Sequence, residues 1–190
     1  MGFRSFFGER FYAPRFWGMG LRYAWFRLRN PHVVTNGMVF MGRGVELRCT
    51  RGLAHMEIGR RVWIGRGTAI RCHEGFLRIG DRVVFGEGDT VNCFLDVDLG
   101  EECIFADDVY VGDFDHHHAD LETPIQRQGI AKSPVRIGPD CWLGTKSVVL
   151  RGTTIGRGSV IGAGAVVRGR YPDRSVIVGN PARLAKRRDG

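Results

Sequence analysis

Large apolar residues recur every six positions along most of this chain, and each is followed directly by a small residue. The repeat occurs at Ile58-Gly59, Ile64-Gly65, Ile79-Gly80, Phe85-Gly86, Leu99-Gly100, Phe105-Ala106, Val111-Gly112, Ile137-Gly138, Leu143-Gly144, Ile155-Gly156 and Ile161-Gly162. A period of six fits neither a helix nor the simple alternation of a two-sided strand. It predicts short strands joined by sharp corners, so that three sides close one triangular coil.

The apolar positions group in threes, and each group predicts one coil of a stack. Coils start near residues 58, 79, 99, 137 and 155, and a weaker set at Thr35, Met41 and Leu47 predicts a coil before them. Residues in excess of an 18-residue coil all fall at the same corner of the triangle. The largest excess, in residues 113–136, predicts a long loop at that corner, and long loops on a rigid scaffold are usually functional.

The repeat therefore predicts an all-β fold of stacked parallel coils over residues 35–178, followed by a basic tail at 179–190. Residues 1–34 differ, because their aromatic side chains fall on helical faces. One face carries Phe3, Phe6, Phe7 and Phe11, a second carries Trp17, Leu21, Ala24, Trp25 and Leu28, and Pro14 separates the two. This amphipathic segment predicts a cap over the open end of the coils, a helix in a membrane interface, or both.

Composition and charge narrow the class of protein. A chain of 190 residues with 43% apolar residues fits one domain. The net charge of +8 lies mostly at the two ends, with six Arg against one Glu in residues 1–30 and four basic residues against one Asp in residues 183–190. Nucleic-acid-binding proteins usually carry a basic stripe on the folded body, so we expect no nucleic-acid partner. Basic ends favour anionic lipid, or a phosphorylated ligand near the C-terminus.

Cysteine usage and hydropathy predict a cytoplasmic protein, either free or held at the inner face of the membrane. The five cysteines form no Cys-x-x-Cys pair, which indicates neither a disulfide framework nor a zinc finger. Cys103 and Cys141 fall in the small inward slot of the repeat, so we interpret them as packing residues. No window reaches the roughly 18 apolar residues of a membrane-spanning helix, and the N-terminus lacks the apolar stretch of a signal peptide.

Three motifs identify a family that the chain resembles. They are Pro134-Val135-Arg136-Ile137-Gly138, Cys141-Trp142-Leu143-Gly144 and Gly179-Asn180-Pro181-Ala182-Arg183. With the repeat, they are similar to the hexapeptide-repeat acyltransferases, in particular the maltose, galactoside and colanic-acid O-acetyltransferases, over roughly residues 35–186. The resemblance implies a left-handed β-helix and a homotrimer with active sites between neighbouring subunits. It also implies transfer of an acetyl or other short acyl group from acyl-coenzyme A, or from a carrier protein, to a hydroxyl of a sugar, a glycan or a glycolipid precursor.

A transferase of this kind needs a base for the hydroxyl proton, and histidine is the natural one near neutral pH. Three histidines stand together where the long loop begins: His116, His117 and His118. His116 follows Val111 by five residues, the interval at which the galactoside and maltose enzymes place their catalytic histidine. The resemblance implies His116 as general base, with His118 as second choice and His117 as third. Two nearby carboxylates could orient the imidazole: Asp113 or Asp115.

The resemblance also implies residues that hold the donor. Trp142 matches a tryptophan of the family that forms a wall for the acceptor and the carrier arm. The alternative is that Trp142 is an exposed aromatic residue in a contact between subunits. Four small positions match those along which the family lays the pantetheine arm: Gly144, Thr145, Gly162 and Ala163. Arg183 and Lys186 match basic positions near the nucleotide end of coenzyme A, where cations pair with phosphate. Coil packing and solvated tail charges would explain the same positions without a ligand.

Two other functions are alternatives. A catalytically silent trimeric scaffold would keep the coils for assembly alone, although the histidine triplet and the Trp142 motif argue against it. A zinc-dependent carbonic anhydrase also uses a left-handed β-helix, with a pair of histidine ligands five residues apart. Here Leu121 stands five residues after His116. Adjacent histidines converge poorly on one metal ion, so we expect no metal.

Overall fold

The computed structural model describes residues 14–188, with side chains described from Trp17 onward. One α-helix, α1 (Pro14–Arg29), precedes a stack of coils in which three short strands form the sides of a triangle. Equivalent strands of successive coils are hydrogen-bonded to each other, so the stack consists of three parallel sheets. The chain is therefore a parallel β-helix, which confirms the fold class that the six-residue repeat predicts.

The three sheets contain seven, eight and six strands. The first sheet contains β1 (Val34–Thr35), β4 (Ala54–Ile58), β7 (Gly75–Ile79), β10 (Asp96–Leu99), β15 (Val135–Ile137), β18 (Thr154–Ile155) and β21 (Arg170–Tyr171). The second contains β2 (Val39–Met41), β5 (Val62–Ile64), β8 (Val84–Phe85), β11 (Ile104–Phe105), β16 (Trp142–Leu143), β19 (Val160–Ile161), β22 (Ser175–Gly179) and β23 (Ala182–Arg187). The third contains β3 (Glu46–Cys49), β6 (Ala69–Cys72), β9 (Thr90–Cys93), β12 (Tyr110–Gly112), β17 (Val148–Val149) and β20 (Val166–Val167).

The repeating apolar residues form buried columns inside the stack. In the first sheet one column contains Ile58, Ile79, Leu99, Ile137 and Ile155, each in register with the next. All five side chains are buried, and full burial of such a side chain contributes about 1.5–3 kcal/mol. The weak set at positions 35, 41 and 47 is in register with positions 58, 64 and 70, which confirms a coil ahead of Ile58.

The corner between the third and the first sheet carries the extra residues, as the sequence predicts. We call this corner the hairpin edge, because residues 113–134 leave it as an antiparallel hairpin of β13 (Phe114–His116) and β14 (Ile130–Lys132). A single 3-10 turn, Ile125–Arg127, lies in the loop of the hairpin. The corner between the second and the third sheet has no such insertions and passes through Gly65, Gly86 and Gly144, so we call it the glycine edge.

Helix α1 covers the first coil, which confirms the capping role for this part of the N-terminal segment. Its buried residues Met19 and Phe26 share one face with Tyr23, whose hydroxyl donates to the carbonyl oxygen of Gly37 at 2.7 Å. Arg22 Nε donates to the carbonyl oxygen of Met41 at 2.7 Å. The aromatic face at Phe3, Phe6, Phe7 and Phe11 lies outside the described residues.

The other end of the stack is closed by the chain's own C-terminal part. Strand β23 folds back antiparallel on β22. It lies within residues 179–190, which the sequence predicts to be a basic tail. The added strand pairs an otherwise open edge of the second sheet, which explains why the segment is ordered. In residues 14–188 no helix has the length and apolar character needed to span a membrane.

Candidate active site

The predicted general base lies at the root of the hairpin. His116 ends β13, where it pairs with Ile130 of β14, and its side chain is exposed. Its ring meets the edge of the Phe114 ring at 6.1 Å between centroids. Phe114 in turn contacts Phe94 at 4.4 Å, and Phe94 stacks on His73 at 4.4 Å. His116 therefore lies at the end of a ladder of rings that follows the hairpin edge through three coils.

Asp113 holds the corner at the root of the hairpin. Its side chain is fully buried, and its carboxylate accepts hydrogen bonds from the backbone N–H groups of Phe94, Leu95 and Asp96, each at 2.8 Å. Three such bonds satisfy a buried carboxylate and fix the preceding turn of the coil. Asp113 therefore acts on the backbone of the neighbouring coil, and its hydrogen bonds go to groups other than the His116 imidazole.

Asp115, the other candidate for orienting the imidazole, anchors the hairpin to the next coil. Its Oδ2 accepts a hydrogen bond from Arg151 Nε at 2.6 Å, and Arg151 Nη1 also donates to Ser133 Oγ at 3.3 Å. On the other side of the hairpin Lys132 forms an ion pair with Glu74 of an earlier coil. The base of the hairpin is thus attached to coils both before and after it.

The other two histidines of the triplet make contacts to backbone groups of the hairpin. The N–H of His117 donates to the carbonyl oxygen of Gly129 at 3.1 Å, which extends the hairpin by one rung. The ring of His118 lies with Nδ1 3.2 Å from the carbonyl oxygen of His116. Both side chains are exposed. The structure therefore places all three predicted histidines at one place, with His116 nearest the ring ladder.

Sequence reasoning missed several groups of this site. The ladder residues His73 and Phe94 precede Phe114 in the same slot of successive coils, three residues after the inward positions 70, 91 and 111. That constant interval is a signal the sequence contains. Arg151 and Lys132 carry no comparable signal, because their partners lie 36 and 58 residues away and are set by coil stacking.

The donor-side residues lie together on the glycine edge. Ala163 of one coil stacks on Gly144 of the coil before, so closely that a Cβ on Gly144 would lie 2.6 Å from the backbone N of Ala163. The hydroxyl of Thr145 donates to the carbonyl oxygen of Asp107 at 2.7 Å. Coil stacking by itself thus requires glycine at position 144, whereas Thr145 and Ala163 are exposed and line the edge.

Trp142, Arg183 and Lys186 lie on the second sheet beside this edge. Trp142 points outward from β16 and is 52% exposed. Arg183 and Lys186 are exposed on β23, which a cis Asn180-Pro181 bond joins to β22. Val178 of β22 is opposite Arg183 and contacts Gly162, so the basic strand begins where the small residues of the glycine edge end.

The two groups of residues occupy different edges of one chain. The third side of the coil lies between them, because Gly144 precedes that side and His116 follows it. A side of six residues at 3.3 Å per residue spans up to roughly 20 Å. One chain therefore does not bring the imidazole to the predicted pantetheine positions.

The remaining titratable groups offer no exposed thiol and no metal cluster in residues 14–188. The five cysteines are free and buried, and hydrogen bonding to Cys141 together with burial raises the pKa of the Cys103 thiol. Burial also raises the pKa of the Tyr110 hydroxyl on the third sheet. No three His, Cys, Asp or Glu side chains in this part of the chain are arranged to hold a metal ion.

Comparison with known proteins agrees with this architecture. Residues 134–169 match the family model described as bacterial transferase hexapeptide (six repeats). A Mycobacterium tuberculosis protein named as a probable acetyltransferase is 53% identical over 177 residues, 93% of this chain and 58% of the relative. An Escherichia coli K12 protein named as a lipopolysaccharide biosynthesis O-acetyl transferase is 33% identical over 120 residues, 60% of this chain and 61% of the relative.

Solved structures share the fold. The N-acyltransferase AntD from Bacillus cereus, in complex with dTDP and 3-hydroxybutyryl-CoA, superposes with a TM-score of 0.71 at 18% identity, covering 85% of this chain and 87% of that one. A hexapeptide-repeat acetyltransferase from Vibrio cholerae has a TM-score of 0.55 at 22% identity over 89% of this chain and 80% of that one.

Fold, repeat and sequence relatives together define the class. The chain is a hexapeptide-repeat β-helix protein, and its sequence relatives are named acetyltransferases. It spans about three-fifths of the length of the first two of these relatives, 58% and 61%.

Proposed function

We propose that this protein transfers an acetyl or other short acyl group from acyl-coenzyme A to a hydroxyl of a sugar, in a glycan or glycolipid precursor, with His116 as general base. The observation that carries the proposal is the exposed imidazole of His116 at the root of a hairpin anchored to a rigid β-helix edge. The names of the sequence relatives support acetyl transfer, and one of them supports a saccharide acceptor.

The proposed chemistry is direct attack within a ternary complex. The imidazole of His116 removes the proton of the acceptor hydroxyl as its oxygen attacks the thioester carbonyl carbon. The tetrahedral intermediate collapses with cleavage of the carbon–sulfur bond, and the imidazolium returns the proton to the coenzyme A sulfur. The acyl ester and free thiol are the products. The edge-on contact with Phe114 and the backbone hydrogen bond at His117 limit the movement of the imidazole.

A homotrimer would complete the site, because the imidazole and the donor-side residues occupy different edges of one chain. The outward column of the second sheet is apolar and contains Val84, Ile104, Trp142, Val160 and Val176. Ile104 and Trp142 are 36% and 52% exposed, which favours burial of this face against a partner. In the proposed assembly the glycine edge of one copy lies beside the hairpin edge of the next.

The donor would lie along the glycine edge of the neighbouring copy. Exposed Thr145 and Ala163 line a strip of backbone along which the pantetheine arm would lie, with Trp142 beside it. Arg183 and Lys186 would pair with the phosphates of coenzyme A, since both are exposed at the end of that strip. The reaction takes place where acyl-coenzyme A is available, in the cytoplasm.

Replacement of His116 by Ala tests the base. We expect acceptor-dependent release of free thiol from acyl-coenzyme A to fall by about 10²–10⁴-fold, the usual contribution of general-base catalysis. The acceptor panel would contain sugars, amino sugars and glycolipid precursors. His117→Ala is the matched control, because the contribution of that residue to the hairpin is a backbone hydrogen bond.

Sedimentation and thermal unfolding of both variants should match those of the native chain, since both side chains are exposed. Full turnover by His116→Ala would refute the base assignment. Absence of thiol release from the native protein with every donor would favour the non-catalytic scaffold, and stoichiometric zinc in the purified protein would favour the carbonic anhydrase-like enzyme.

A further inference from the structure

Helix α1 presents two apolar faces, of which the coils cover only one. Met19, Tyr23 and Phe26 pack on the first coil. On the opposite side, at 100° per residue, lie four side chains that are 57–77% exposed: Trp17, Leu21, Trp25 and Leu28. We call these four residues the helix stripe. A contiguous exposed stripe of two Trp and two Leu is unusual for a surface that faces only water.

The orientation of the helix stripe is fixed. Arg22 and Tyr23 bond to backbone carbonyls of the first coil at 2.7 Å, on the side of the helix away from the stripe. Arg27 bonds to the hydroxyl of Thr35. These contacts prevent the helix from rolling to bury Trp17 or Leu21, so the stripe faces away from the end of the β-helix.

The same end of the molecule is strongly basic. Residues 14–71, which form the helix and the first two coils, contain 11 Arg and two Glu, a net charge of +9, whereas residues 72–190 have a net charge of −2. No acidic residue occurs between Glu9 and Glu46, a range that includes the whole of α1. The guanidinium of Arg29 lies 4.1 Å from the centroid of the Trp25 ring, directly beside the helix stripe.

We propose that the helix stripe docks in the plane of an anionic phospholipid bilayer. Trp and Leu side chains would enter the interface between headgroups and acyl chains, while the arginines at this end of the molecule pair with lipid phosphates. The complementary charge selects a bilayer over a neutral protein surface, and selects anionic over zwitterionic lipid. Docking of this kind is peripheral and reversible.

Docking would also set the distance between the hairpin edge and the membrane surface. His116 follows the fourth coil, three coils above the one that α1 covers. At about 4.8 Å per coil plus a helix diameter of about 10 Å, the imidazole lies roughly 25 Å from the interface. Such a height suits an acceptor hydroxyl on a saccharide that projects from a lipid anchor. This last step rests on the proposed function, whereas the docking itself does not.

Vesicle flotation of the full chain tests the docking. The vesicles contain phosphatidylcholine alone or mixed with phosphatidylglycerol, and binding is measured as salt is raised. We expect flotation only with phosphatidylglycerol, and release by salt because exposed charges are screened. The double variant Trp17→Ser/Leu21→Ser should bind the vesicles at least about tenfold more weakly than the native chain does.

The matched control is Leu121→Ser/Ile125→Ser, which removes two exposed apolar residues, 92% and 55% exposed, from the hairpin loop. It should bind as the native chain does. The proposal is overturned if the native chain does not float, if it binds both lipids equally, or if the two double variants bind equally. A lower sedimenting mass for the helix variant would instead assign the stripe to a contact between copies. All these readouts are independent of acyl transfer.

Discussion

The hairpin edge and the glycine edge are corners of the same coil, but the chain turns them by different means. At the glycine edge coils stack backbone on backbone, and a Cβ on Gly65 would overlap the carbonyl oxygen of Gly86. At the hairpin edge extra residues separate the strands, and side chains such as Asp113 accept hydrogen bonds from the backbone N–H groups of the corner. Chemistry that needs side chains is therefore possible where the repeat is interrupted, whereas the uninterrupted edge offers backbone groups and small residues.

Each edge also buries one carboxyl group, and the two differ in their hydrogen bonds. Asp113 at the hairpin edge accepts three backbone N–H bonds. Asp89 at the glycine edge is 1% exposed and accepts one from Val109 at 2.8 Å, while its Oδ2 has no partner within the described residues. Burial raises the pKa of Asp89 to about 7. One backbone N–H bond thus does not offset the cost of burying the Asp89 carboxyl in its charged form.

The largest effect should follow a change at the glycine edge. Gly65→Ala places a Cβ against the backbone of the next coil, and we expect a loss of more than about 3 kcal/mol in the free energy of unfolding, or failure to fold. Gly67→Ala is the control, because the added Cβ would have no atom within 4 Å. The only cost there is the strain of placing alanine at a positive φ of +71°. That strain costs about 1–2 kcal/mol. Equal stabilities in urea unfolding would contradict the close stacking.

A slightly smaller loss is expected at the hairpin edge. Asp113→Ala leaves three backbone N–H groups without their acceptor, which should cost roughly 3 kcal/mol in urea unfolding at neutral pH. Asp115→Ala is the matched control in the same hairpin. Its side chain is 36% exposed and paired with Arg151, so the change should cost less than about 1 kcal/mol. A cost for Asp113→Ala as small as that of the control would show that the corner does not depend on this carboxylate.

The smallest effect should appear as a pH dependence. Because the folded protein raises the pKa of Asp89 to about 7, well above the usual value of about 4 for an aspartate, the folded state binds the proton more tightly. The stability contributed by this carboxyl is therefore full below about pH 4 and is lost as the pH rises towards 7. Asp89→Asn does not titrate, so its stability relative to the native chain should increase steadily across that range. A constant difference between the two proteins from pH 4 to pH 8 would refute the raised pKa.

The fold and part of the site could be predicted from sequence, for reasons that particular residues make clear. The buried column that begins with Ile58, Ile79 and Leu99 contains one residue from each coil. Because every coil repeats the same six-residue pattern, that period predicts all members of the column. The prediction of His116 as the base depends instead on its interval from Val111, which matches that of the catalytic histidine in the galactoside and maltose enzymes. The choice between Asp113 and Asp115 could not be made from sequence, because both lie near the histidine and differ only in partners from other coils.

What the sequence by itself determined is the coil: a six-residue period of apolar and small residues is satisfied by stacked triangles, and burial of the apolar columns stabilises them. Tertiary structure alone decided which groups meet across coils. It paired Asp113 with the N–H groups of Phe94 to Asp96, Asp115 with Arg151, and one face of α1 with the first coil. Such contacts depend on the distance and direction between segments far apart in the chain, and a local pattern does not contain that information.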